Sequence, residues 1–193
     1  MTAPILDFSF PCTWKAEILS ARSAILPARH FVYPRDVEEV ERGALEVLVR
    51  TNEPGTSPFL ATCALGFRDP VVPTGLWSAP NPDEMCAVAG GYAYIIDTTA
   101  PDRFTMLPYR PVLGVHAAAD QRLLLFVGNR TNLAWGAGGR MWESGKLSDE
   151  GLVITSIQGG ILHGLGWNLM TDKETPFALD LKNGDRVNER DRA

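Results

Sequence analysis

Several absences narrow what this chain can be. It has only three cysteines in 193 residues, Cys12, Cys63 and Cys86, widely spaced and with no CxxC pair. An odd, scattered set excludes a disulfide framework and reads as reduced, mostly buried thiols in a cytoplasmic protein. The sequon at Asn129 is then expected to be idle. No apolar run approaches the roughly 20 residues that span a bilayer as a helix. The opening "MTAPILDFSFPCTWK" lacks the basic and apolar regions of a secretory signal. Positive charge is not in excess either: 18 basic against 23 acidic residues give a net charge of −5. That balance offers no electrostatic case for nucleic acid or for an anionic membrane.

Catalytic signatures are equally scarce. "GAGGRMWESGK" (136–146) ends in Gly-Lys but is no phosphate cradle. A P-loop needs a glycine five positions before Gly145, where Arg140 stands, and a hydroxyl after the lysine, where Leu147 stands. A helix must also follow, yet "LSDEGLVITSI" offers a turn and a strand. The stretch reads as two turns, at Gly138-Gly139 and at Ser144-Gly145, holding Trp142 between them. There is no G-x-S-x-G elbow and no S-x-x-K. Cys63 and Cys86 lie within apolar strand-like runs, as buried cysteines do. The acidic pairs Asp83-Glu84, Asp149-Glu150 and Asp172/Glu174 sit in turn-like stretches, where solvation alone accounts for them. The histidines are His30, His116 and His163. His116 and Asp120 have the i, i+4 spacing of two ligands on a helix, but "VLGVHAAADQRLLLF" reads as strand, turn, strand. No metal site and no cofactor is expected from these spacings.

What is present is β pattern. From residue 44 onward, "ALEVLVR", "FLATCALGF", "AYIIDTT", "RLLLFVG" and "LVITSI" are short, apolar and bounded by Gly, Pro, Asn or Asp. Three longer segments, 86–97, 123–138 and 161–184, share one outline: an apolar strand closing on glycine, a connection, then a strand near an aromatic. Gly90, Gly128 and Gly166 follow at intervals of 38, and Tyr94, Trp135 and Phe177 at intervals of 41 and 42. Hairpins repeating every 40 residues or so resemble propeller blades, with up to four in this chain. The alternative is a β-sandwich or barrel. The resemblance is architectural and carries no site residues with it.

Residues 1–43 read differently, as an extension that is partly helical. Trp14, Ile18, Ala21 and Ile25 have helical spacing up to Pro27, and a second short helix is predicted through "PRDVEEVER". Residues 44–184 form the β domain, and 185–193 a charged tail. "DPVVPTGLWSAPNP" (69–82), with four prolines, reads as an extended surface arm anchored by Leu76 and Trp77.

The function predicted from these features is non-catalytic binding or protein interaction, with a homo-oligomer or another protein as partner. Its candidate binding residues are Trp77 and Trp142, placed near turns, with His116, Asp120 and His163. The other aromatics are expected to fill the core. A rival is a small hydrolase-type enzyme with a loop-assembled site, for which His116, Asp120, His163 and Asp172 would have to converge. A third reading is a structural subunit of a larger assembly.

Overall fold

A computed structural model describes residues 3–21, 25–35 and 42–187. The chain is mainly β, with several antiparallel sheets and no α-helix among the described residues. It divides into two compact units, Met1–Pro111 and Val112–Ala193.

The first unit holds two sheets. In one, β2 (Trp14–Ile18), β4 (Ala44–Thr51), β5 (Phe59–Ala64) and β3 (His30–Tyr33) lie in the order β2-β4-β5-β3. Only β3 runs parallel to its neighbour. In the other, β6 (Gly75–Ser78), β7 (Glu84–Ala89), β8 (Tyr92–Asp97) and β9 (Phe104–Met106) form a consecutive antiparallel meander. The short β1 (Ile5–Asp7) adds in parallel to β6. Alternate residues of the two sheets make one core: Val47, Phe59 and Cys63 from the first, Met85, Ala87 and Tyr94 from the second. Period-two alternation is what puts such residues on a common face.

The second unit contains β10 (Gly114–Ala118), β11 (Leu123–Val127), β12 (Asn132–Gly136) and β13 (Gly139–Glu143), again a consecutive antiparallel meander. A single 3-10 turn, Ala119–Gln121, links the first two. A third meander follows, β14 (Leu152–Gln158), β15 (Ile161–Asn168) and β16 (Lys173–Asp180). Leu125, Leu162, Phe177 and Leu179 belong to its buried cluster. The second strands of the three meanders open at Glu84, Leu123 and Ile161, 39 and 38 residues apart.

Several expectations for the N-terminal half are overturned. Residues 14–18 are a strand, not a helix. Trp14, Ala16 and Ile18 turn inward while Lys15 and Glu17 are exposed, and β2 pairs with β4 through Ala16↔Val49 and Ile18↔Val47. The apolar spacing fits a period of two as well as one of 3.6, and the ladder with β4 decides between them. Residues 1–43 thus supply β1, β2 and β3 to the two sheets. The second helix was predicted over a stretch whose residues 36–41 lie outside the described residues. The proline-rich stretch is not a surface arm, because Gly75–Ser78 is a fully buried strand between β1 and β7. Its prolines flank the strand and leave the ladder N–H groups intact.

The glycine spacing also needs correction. Gly166 lies inside β15, paired with Leu152 and Thr175, and does not close a strand. The counterpart of the Gly90-Gly91 turn is Gly159-Gly160: φ is +56° and +77° in the first and +57° and +77° in the second. Two successive left-handed residues make a tight hairpin turn that matches strand twist, and glycine adopts that conformation without steric cost. "GAGGRMW" is a hairpin too, with its turn at Ala137-Gly138 between β12 and β13.

Gly164 tests the packing of the third meander. A methyl group there would overlap the Phe177 ring and lie 2.6 Å from the Val153 carbonyl oxygen. Gly164→Ala should lower stability by about 1–3 kcal/mol, seen as a lower denaturant midpoint at an unchanged slope.

Candidate functional site

Polar residues inside apolar strands point to the site. "ALEVLVR" carries Glu46 in β4 and "FLATCALG" carries Thr62 in β5. Both are buried, Glu46 with 7% of its surface exposed and Thr62 with none. A buried carboxylate and hydroxyl are costly unless hydrogen-bonded. The two residues face each other across the β4–β5 ladder, and Thr62 Oγ1 donates to Glu46 Oε2 at 2.6 Å. Thr62 Oγ1 is also 2.9 Å from His30 Nε2. His30 pairs with Leu60 in the parallel register, so Thr62 is its diagonal neighbour on the same face.

This chain of bonds fixes the imidazole. Thr62 has one hydroxyl proton and gives it to Glu46, so its oxygen accepts from His30 Nε2–H. A neutral His30 then carries its proton on Nε2 and keeps Nδ1 as an acceptor.

A groove of about 280 Å³ runs beside this strand, lined by His30, Phe31, Val32, Tyr33, Arg35, Pro101 and Asp102. Tyr33 forms part of its floor: its ring packs edge-on against Phe104, and its hydroxyl donates to the Pro101 carbonyl at 2.8 Å. Burial pushes the Tyr33 phenol up, helped by the neighbouring Cys63 and Asp102, so it stays protonated. Arg35 and Asp102 form an exposed ion pair at 3.0 Å across the rim, a pairing worth little in stability. Arg29, one residue before β3, lies over the Phe31 and Phe59 rings and donates to the Ser57 carbonyl.

Backbone geometry matters as much as side chains. β3 has no neighbour on its outer side among the described strands. The Arg29 carbonyl accepts from Leu60 N–H, which sets the phase of the parallel ladder. Residues 29, 31 and 33 therefore address β5, while His30 and Val32 direct N–H and C=O outward.

The residues singled out from sequence lie elsewhere. Trp77 is mid-strand in β6 and buried in the core. Trp142 is in β13, not between two turns; it is buried, its Nε1–H donates to the Leu181 carbonyl at 2.8 Å, and its ring leaves no room for a side chain at Gly184. Neither tryptophan offers a ring face to a ligand. His116 is half-buried on β10 opposite Leu125, and Asp120 is exposed in the 3-10 turn, so their spacing is not that of a helix face. His163 is half-buried in β15 between Ser156 and Ala178. Asp172 is exposed in the β15–β16 turn at φ +54°. It lies beyond the Asn168–Lys173 rung, roughly 16 Å along the strand from His163. Among the described residues, no three His, Cys, Asp or Glu side chains gather as a metal site requires.

His30 carries no signal of its own in the sequence, because no partner stands near it in the chain. The available signal was Glu46 and Thr62, two polar residues within strands otherwise fit for full burial.

Two measurements probe the site. Thr62→Val keeps the shape but removes the link between Glu46 and His30; stability at neutral pH should fall by about 1–3 kcal/mol. The ¹⁵N shifts of His30 should move from a dominant Nε2–H tautomer towards a mixture. For the thiols, burial pushes Cys63 and Cys86 well up, whereas Cys12 is partly exposed. One thiol per native chain should therefore react promptly with a disulfide reagent, and all three after denaturation.

The chain matches no protein-family model, and no curated protein matches it either.

Proposed function

We propose that this chain is a non-catalytic binding protein that takes an extended polypeptide segment along β3. The observation carrying this reading is the outward N–H and C=O of His30 and Val32 beside an open groove. Such groups are satisfied by a strand added at the sheet edge, with pockets alongside choosing its side chains. His30, held in one orientation from behind, and the Arg35–Asp102 pair supply polar selectivity at the two ends of the groove.

The hydrolase alternative has less support. Its candidate residues are spread over separate turns and strands, with His163 and Asp172 roughly 16 Å apart. We also infer that the sheets are blade-like. β6–β9 and β10–β13 are each four consecutive antiparallel strands, and β11 and β12 are buried on both faces, as the inner strands of blades are. A cytoplasmic setting suits the three free thiols. No helix among the described residues is long and apolar enough to cross a membrane.

Titrating the labelled full chain with a pool of random extended peptides tests the binding reading by NMR. Amide shifts should concentrate at His30, Val32 and Asp102. Val32→Pro removes an outward N–H that the sheet itself does not use, so the fold should survive while affinity falls about tenfold, the worth of roughly one hydrogen bond. Shifts that avoid β3, or equal affinity in Val32→Pro, would overturn the proposal.

A further inference from the structure

The sequence "LVITSIQ" forms β14, seven residues with no charge and no proline. Val153, Ile154, Thr155 and Ile157 are β-branched, the composition that best fits a pleated ladder. β14 is nevertheless an edge strand, with β15 on one side and no described strand on the other. Val153 is 55% exposed, and Thr155 and Gln158 are exposed as well.

Natural sheets guard their edges by shortness, charge, proline or a covering segment. The remaining edges here follow that rule. β1 and β9 have three residues each and β3 has four; β2 carries Lys15 and Glu17, and β13 carries Arg140 and Glu143. β10 is uncharged too, but it has five residues to β14's seven and none of them is exposed. On the far side of its own sheet, β16 opens with Lys173 and Glu174, and its last three residues are covered by the chain itself: Asp180 N–H donates to Asp185, Val187 N–H donates to Ala178, and Leu179 bridges to Arg186. β14 alone among the described edge strands is long, uncharged and uncovered.

We infer that β14 is a self-association edge, and that two copies of this chain pair through it in antiparallel fashion about a two-fold axis. An antiparallel strand can be its own partner, since each copy offers the donors and acceptors that the other needs. β14 itself presents no charged side chain to oppose a like charge on the second copy. The apolar surface continues inward from the edge, because Val153 pairs with Leu165 and Leu165 with the exposed Pro176. The one protective device is a register shift between Ile154 and Ser156, which leaves Thr155 without a partner on β15. That irregularity limits the continuous run of pairing, so the dimer is a weak one that grows with concentration. This surface is distinct from β3 and stands whether or not β3 binds a peptide.

Sedimentation velocity of the full chain from low to high micromolar concentration tests the inference. The weight-average mass should rise from one chain towards two. Thr155→Lys places a charge on an exposed residue outside the β15 ladder, so the circular dichroism spectrum and melting temperature should hold while the dimer is lost. Thr155→Glu alone should behave likewise, and an equimolar mixture of the two variants should dimerise again. If Thr155→Lys fails to fold, Val153→Lys takes its place with the same expectation. A wild-type chain that stays monomeric throughout overturns the inference. So does a dimer that neither lysine variant weakens by at least about tenfold, the effect expected of like charges placed in a strand pairing.

Discussion

Burial of β5 on both faces is the constraint on which the first unit depends. Phe59, Ala61 and Cys63 face the shared core, while Leu60, Thr62 and Ala64 face the other way, and none of the six has measurable exposure. A strand in that position can carry a polar group only if its neighbours satisfy it. Thr62 is that group, and its position calls for partners from both flanking strands. β4 provides Glu46 and β3 provides His30. The same three residues therefore solve a burial problem and orient an imidazole at the sheet edge. Removing Thr62 leaves both of the others a partner short, and removing either of them leaves Thr62 one short, which makes the edge strand's position and the chemistry of the groove one problem.

Edges are the complementary issue. Each of the four sheets formed by the described strands is open, so each has two flanks where backbone groups need water, chain or partner. The chain covers some of them itself: β1 lies on β6, and residues 185–187 lie on β16. Others are short or charged. Among the described edge strands, the two proposed docking edges are β3, which has a groove beside it, and β14, which is long and uncharged. The proposed interactions at these two edges differ in character. At β3 a fixed histidine and an ion pair would discriminate among ligands; at β14 only strand geometry would.

What could be read in the sequence follows from the range of the forces involved. The strands beyond residue 44 are local: "RLLLFVG" and "LVITSI" are apolar, β-branched or both, and turn residues bound them. At β2 the local pattern does not decide: Trp14 and Ile18 are four residues apart, a spacing that suits either period, and the partner β4 lies some thirty residues further on. Trp77 and Trp142 were placed by their neighbours in sequence, Pro and Gly, although both occupy strand interiors. The glycine interval was real as arithmetic but joined unlike positions: Gly90 turns a hairpin, whereas Gly166 sits where a side chain would strike the Leu147 carbonyl. The site was least legible of all. Sixteen residues separate Glu46 from Thr62, and 32 separate Thr62 from His30, so only the folded ladder brings them together.

The Glu46–Thr62–His30 chain resembles a catalytic relay in outline, and its surroundings decide how it is best understood. A relay serves a nucleophile or a reacting proton within hydrogen-bond reach of the imidazole. The seven residues lining the groove include no serine, threonine or cysteine. The one hydroxyl among them, on Tyr33, is given to the Pro101 carbonyl and held protonated by burial. Cys63 follows Thr62 on β5 but faces the opposite side, where burial pushes its thiol up as well. An oriented imidazole without a nucleophile has a simpler use: a neutral His30 turns a lone pair towards whatever N–H or O–H a ligand brings. Rigid presentation of one acceptor beside an open backbone edge is what recognition of an extended chain requires. In the proposed reading, the buried carboxylate holds His30 in one orientation through Thr62.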